Sequence, residues 1–170
     1  MRKVRITHKS TADQIIGLLG WMFITYLAAA VAAIASADAG TLYAELSLPV
    51  WAPPSWLFGP VWVVLYTMMG IAAWMVWRMV GHELRWRALA LYLGHLVPNA
   101  LWSWLFFGWR LGALSFADIL LLFIAAAATL IAFWKIQAPA GTLLIPYICW
   151  VGYAMVLNYA IWQLNPGILG

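Results

Sequence analysis

The chain has 170 residues, 66% of them hydrophobic and only 8% charged, with a formal net charge of +4. A soluble domain is roughly half apolar and about a quarter charged, so this composition excludes one and describes a membrane protein with little mass outside the bilayer. The basic residues sit in short clusters between apolar runs and leave no soluble surface for nucleic acid. The single cysteine, Cys149, excludes a disulfide within the chain.

Residues 1–14 are polar and carry Arg2, Lys3, Arg5 and Lys9. An apolar run follows over about 15–37. Ala35-Ser36-Ala37 has the form of a leader-cleavage site, but the run exceeds the ~7–15 residues of a leader's apolar region, so it reads as a spanning helix. Next comes 48–62, LPVWAPPSWLFGPVW, with four prolines and three tryptophans in fifteen residues. Pro53-Pro54 fixes φ and lacks backbone donors, which makes a stiff link, and Ser55 and Pro60 suit a helix start. Further apolar runs cover about 57–80, 88–107, 111–134 and 142–164. Each reaches or approaches the ~20 residues that cross ~30 Å of hydrocarbon. Backbone groups in lipid must be satisfied internally, so the expected class is an all-α membrane protein, a five-transmembrane-helix bundle forming a single domain over 1–170.

Eight of the nine basic residues fall on one side of such a bundle: the four N-terminal ones, Arg78, Arg85, Arg87 and Lys135; Arg110 alone is opposite. The bias predicts a cytoplasmic N-terminus, an outward first loop and an outward C-terminus in a bacterial inner membrane.

Aromatic belts at the two interfaces account for most of the thirteen tryptophans. Helical spacing assigns others to inward stripes. These are Trp62, Tyr66, Met69 and Ala73 on the second run, and His95, Asn99, Trp102 and Phe106 on the third. On the fourth they are Leu114, Asp118, Leu121 and Ala125, and on the fifth Trp150, Ala154, Leu157 and Ile161. Large aromatics with a few polar groups are how a small-molecule pocket is lined. The polar groups gather in the half beneath the proline-rich loop, which predicts a cavity there with loop residues as its roof. Asp118 is the acid inside a predicted span, readable as an orienting group or as a packing acid. His95 has no second ligand at metal spacing, so no metal site is expected. Pro98 is expected to kink the third helix. No phosphate-binding glycine loop, nucleophile elbow or channel filter is present.

The stretches 48–70 (LPVWAPPSWLFGPVWVVLYTMMG), 91–108 (LYLGHLVPNALWSWLFFG), 117–122 (ADILLL) with 125–129 (AAAAT), and 143–162 (LLIPYICWVGYAMVLNYAIW) resemble the TspO/MBR family, which comprises bacterial tryptophan-rich sensory proteins and the mitochondrial translocator protein. The resemblance implies a five-helix bundle, often dimeric, that binds porphyrins in a pocket under the first loop, and in some members sterols. It implies pocket positions at Trp51, Trp62, Asn99, Trp102, Ala117, Leu121, Trp150, Ala154 and Leu157. It also implies light-driven porphyrin breakdown at tryptophans matching Trp62 and Trp150, the two residues that would then be catalytic.

The chain departs from the family's pattern in three places. Leu42 stands where tryptophan is usual, Gln163 where a sterol motif has arginine, and Trp102-Ser103-Trp104 lacks the usual proline, with Pro98 earlier instead. The first departure argues against breakdown and the second against sterol. The leading expectation is a non-enzymatic tetrapyrrole-binding membrane protein with a sensory or trafficking role. It needs no cofactor: protoporphyrin IX or haem is its ligand, stacked on Trp62, Trp102 and Trp150 with Tyr66, His95, Asn99 and Asp118 nearby. Alternatives are a light-dependent porphyrin-degrading enzyme and a transporter of porphyrin or another lipophile. Ala90 and Gly94 have the small-xxx-small spacing of a homodimer face.

Overall fold

The computed structural model describes residues 10–170. The N-terminal basic cluster of the orientation argument lies outside them. Among the described residues the structure is helical and contains no strand. Its elements are α1 (Thr11–Ala35), α2 (Ala39–Glu45), a 3-10 turn (Ser55–Leu57) leading into α3 (Phe58–Trp77), and α4 (Arg85–Ser103), which runs on into a π-helical turn (Trp104–Gly108). They continue with α5 (Gly112–Ile136), α6 (Ala138–Leu143), α7 (Ile145–Leu164) and α8 (Pro166–Leu169).

The boundaries have local causes. α1 starts four residues before the apolar run because Ser10 and Asp13 form a capping box, the Asp13 N–H donating to Ser10 Oγ at 3.1 Å and the Ser10 N–H to the Asp13 carboxylate at 3.3 Å. The first loop is not irregular throughout, since residues 39–45 wind into α2. Ser55 does not cap; Pro54 holds the N-cap position and Ser55 opens the 3-10 turn. The last apolar run is broken at Leu144, with Pro139 and Pro146 each in a first turn, where a missing N–H costs no helical bond. Pro98 sits inside a continuous α4, and the helix changes pitch only at the π turn.

Four segments are long and apolar enough to cross a membrane: Thr11–Ala35, Ser55–Trp77, Gly112–Ile136 and Ala138–Leu164. The expected fifth, α4, does not meet that measure, because Arg85, Arg87, His95 and Asn99 dilute it. His95 and Asn99 are 1% and 2% exposed, so these polar groups are hidden inside the bundle and not offered to its surroundings.

The long helices close a ring. α1 packs on α3 and α4, α4 on α5, α5 on α7, and the α6–α7 run returns to α3. At the N-terminal end of α1 the packing is close: a Cβ at Gly17 would overlap the Trp77 ring, and one at Gly70 would lie 2.6 Å from the Met22 sulfur. The Trp74 indole donates to the Gln14 carbonyl at 2.9 Å across the same seam. The Arg85 guanidinium donates to the Trp77 carbonyl at 3.1 Å and closes the end of α3.

Candidate functional site

At the first-loop end the ring holds a cavity of about 630 Å³. Its walls are the last turns of α1, α2, the start of α3 and the end of α4. Helix α1 contributes alanines, Ala29, Ala30, Ala32 and Ala33, and this lack of bulk is what leaves the space. Tyr43, Phe58, Trp62, Tyr66, Trp102 and Phe107 supply aromatic surface, and Asn99 is the amide on the wall. The volume lies within the ~300–1,000 Å³ of small-molecule pockets.

The polar groups on the wall are held by deeper ones. The Tyr66 hydroxyl donates to Asn99 Oδ1 at 2.5 Å, and Asn99 Nδ2 donates to the Tyr147 hydroxyl at 3.0 Å. Both ends of the Asn99 amide are thereby fixed, so its orientation does not depend on a ligand. The Trp102 indole donates to Asn158 Oδ1 at 2.8 Å and its ring stacks on Phe106 with centroids 5.6 Å apart. Trp62 lies against Tyr66 at 5.4 Å, and its edge approaches Tyr147 at 6.5 Å.

The roof is the first loop, and hydrogen bonds hold it down. Tyr43 donates to the Pro53 carbonyl at 2.9 Å, and Tyr153 to the Trp51 carbonyl at 3.1 Å. Asn165, just beyond α7, accepts from the Ser47 N–H at 2.8 Å and donates to the Ser47 carbonyl at 2.9 Å. Burial, with the Tyr153 phenol beside it, raises the Tyr43 hydroxyl above its ordinary value and keeps it a donor.

Of the residues singled out from the sequence, Trp62, Tyr66, Asn99 and Trp102 line this cavity. Trp51 is in the roof, 45% exposed, edge-on to Tyr153. Trp150 stands behind Phe58, ring centroids 6.0 Å apart, and does not reach the wall. Ala154 and Leu157 are buried in the core of α7. Ala117 and Leu121 face outward from α5, as do Leu114 and, in part, Ala125; the buried face of α5 is instead Ser115, Asp118, Ile119, Leu122 and Ala126. Asp118 is buried with Oδ2 unpartnered among the described residues. His95 packs between Tyr92 and Tyr147, at 5.1 and 5.6 Å. Its ring nitrogens lie beside the Leu91 and Tyr92 carbonyls of its own helix, without good hydrogen-bond geometry. Among the described residues no group of three histidine, cysteine or acidic side chains is placed to hold a metal.

The sequence reading missed Phe58, Tyr43, Asn165 and the whole α1 wall. The α1 wall had a signal, the alanine-rich 28–35, which stands out against the leucines and isoleucines before it.

A helical bundle with several spans long enough and apolar enough for a bilayer is an integral multi-pass membrane protein, here with an aromatic cavity under one loop. Residues 17–163 match the TspO/MBR family. The chain is 41% identical over 130 residues to a translocator protein of Homo sapiens, covering 75% of this chain and 77% of that one. It is 36% identical over 150 residues to a tryptophan-rich sensory protein of Cereibacter sphaeroides (85% and 91% covered), and 35% identical over 150 residues to protein CrtK of Rhodobacter capsulatus (86% and 94% covered). The chain belongs to the TspO/MBR family.

Proposed function

We propose that this protein is a receptor-like membrane protein that binds a tetrapyrrole, protoporphyrin IX or haem, in the cavity under the first loop, with a sensory or trafficking role. The observation that carries this reading is the wall itself: flat aromatic faces on three sides and one pre-oriented amide, in a space of about 630 Å³. A macrocycle gains most from aromatic faces, and Asn99 meets its polar edge. The names of relatives, one a translocator protein and one a sensory protein, agree with a ligand-handling role. In this reading α4 is the fifth crossing, its polar residues turned inward. The N-terminus is cytoplasmic and the C-terminus outside, in a bacterial inner membrane. A homodimer would form on the exposed Ala90 and Gly94 face of α4.

The test is a titration of the purified protein with protoporphyrin IX in the dark, followed by tryptophan fluorescence, beside Trp62→Ala and Trp150→Ala. Saturable binding that weakens in Trp62→Ala supports the reading. Absent binding, or equal binding by all three proteins, refutes it. Illuminating the same samples beside protoporphyrin IX in detergent alone distinguishes binding from breakdown, since an enzyme speeds loss of the pigment beyond its own photobleaching and a binder does not.

A further inference from the structure

We propose that the cavity is loaded sideways from the bilayer, through a slot between α1 and α3, and that the part of the ligand it encloses is an uncharged, flat lipophile. This rests on the tetrapyrrole reading above and adds a route and a charge to it.

The slot is visible in residues of both helices. Ala30 and Ala33 of α1, and Gly59 and Val63 of α3, line the cavity and are exposed rather than packed against a neighbouring helix. Nothing lies within 4 Å of where a Cβ would stand at Gly59. The same two helices are sealed lower down, where the Tyr26 hydroxyl pairs with Thr67 Oγ1 at 2.7 Å and reaches the Val63 carbonyl at 3.2 Å. Above Tyr26 no hydrogen bond joins α1 to α3 among the described residues.

At its loop end the slot continues between Gly40 of α2 and Ser55 and Trp56 of the 3-10 turn, which also line the cavity and are exposed; the remaining sides are tied. On the far side of α1, the Trp104 indole donates to the Val31 carbonyl at 3.1 Å and ties α1 to the end of α4. Passage through the roof on its α7 side would break the Tyr153 and Asn165 hydrogen bonds together. The slot therefore opens with the least loss, and below its loop end, between Ala30, Ala33, Gly59 and Val63, it opens onto the apolar flank of the bundle.

The charge follows from the wall. None of the residues lining the cavity is ionisable to a cation or a carboxylate. Among the described basic residues, Arg110 alone belongs to the first-loop end, and it sits 3.8 Å from Glu45 on the surface. A carboxylate drawn into the cavity would have no counter-charge, so acidic substituents stay at the mouth.

The experiment uses the full chain in liposomes, with protoporphyrin IX dimethyl ester as the probe. In a Cys149→Ala background, Ala33→Cys with Gly59→Cys is bridged across the slot by a bis-methanethiosulfonate reagent, which releases sulfinate as each cysteine forms a reductant-cleavable disulfide. Bridging is expected to slow association and dissociation together, each about tenfold, with the dissociation constant held within about twofold. Reduction restores both rates. Ser47→Cys with Asn165→Cys, bridged across the roof in the same way so that the bridge replaces the hydrogen bonds these residues lose, is expected to show the rates of the parent Cys149→Ala protein. A single Ala30→Trp at the rim is a second variant with the same expected slowing.

Unchanged rates in both slot variants, or slowing by the roof bridge alone, overturn lateral loading. If the ester fails to bind any unbridged protein, the tetrapyrrole reading falls and this inference with it. Binding with an indifferent slot defeats only the route. The ester is expected to bind about tenfold more tightly than the free diacid at neutral pH; a tighter diacid overturns the charge assignment.

Discussion

The seam between α1 and α3 is two different contacts along its length. In the half bearing Gly17, Met22 and Gly70, side chains fill the seam and glycines allow backbone and ring to meet. In the half bearing Ala30, Ala33 and Gly59, small residues face each other across space. Glycine therefore has opposite meanings in the two halves: at Gly17 it admits a neighbour, and at Gly59 it leaves a gap. The close half fixes the angle of the two helices, and the open half holds the cavity.

Filling the close half is expected to give the largest effect. Gly17→Leu would drive a side chain into the Trp77 ring and lower stability by about 3 kcal/mol, the upper range for overpacking. Denaturant unfolding in detergent checks this; wild-type stability would show that the seam is soft. Asn99→Leu comes next, because it removes the partner of both Tyr66 and Tyr147. The expected loss is about 2 kcal/mol, with weakened porphyrin binding. Tyr147→Phe, which keeps the Tyr66 bond, should cost less in the same assay.

Two tryptophans sharpen the contrast between wall and core. Trp62→Ala should weaken protoporphyrin binding about tenfold, equivalent to ~1.4 kcal/mol. Trp150→Ala should change it by no more than about twofold, because Phe58 stands between that ring and the cavity. Equal effects would show that Phe58 moves aside on binding. Asn165→Ala should lower stability by about 1 kcal/mol and speed proteolysis between Ser47 and Val50, since the loop loses its tie to α7. Gly59→Ala should be the smallest change, within about 0.5 kcal/mol of wild type, because the new methyl group enters open space.

The family and the membrane class were legible in the sequence. Composition and run length require spanning helices whatever the details of packing, and the proline–tryptophan stretch is specific. Trp62, Tyr66, Asn99 and Trp102 were also legible, because one stripe per helix carries both their aromatic and their polar members. The α5 stripe was not. Leu114 and Leu121 look inward by periodicity but face outward, since in a bilayer the lipid side of a helix is as apolar as its core side. α4 met the opposite difficulty: the sequence reads as a fifth span there, but the helix falls short of the apolar measure, and its packing hides His95 and Asn99 inside the bundle.

By itself the sequence determined that this chain is a helical membrane protein of the TspO/MBR family with aromatic and amide groups gathered beneath its first loop. Tertiary structure decided which of those groups share a space. It placed Trp62 on the cavity wall and Trp150 behind Phe58, and brought Asn165 across 118 positions of chain to hold Ser47. The physical reason is that periodicity fixes the face of a residue only within its own helix. Which helices close around a gap depends on contacts between residues far apart in the chain, such as Gly17 with Trp77 and Gly70 with Met22.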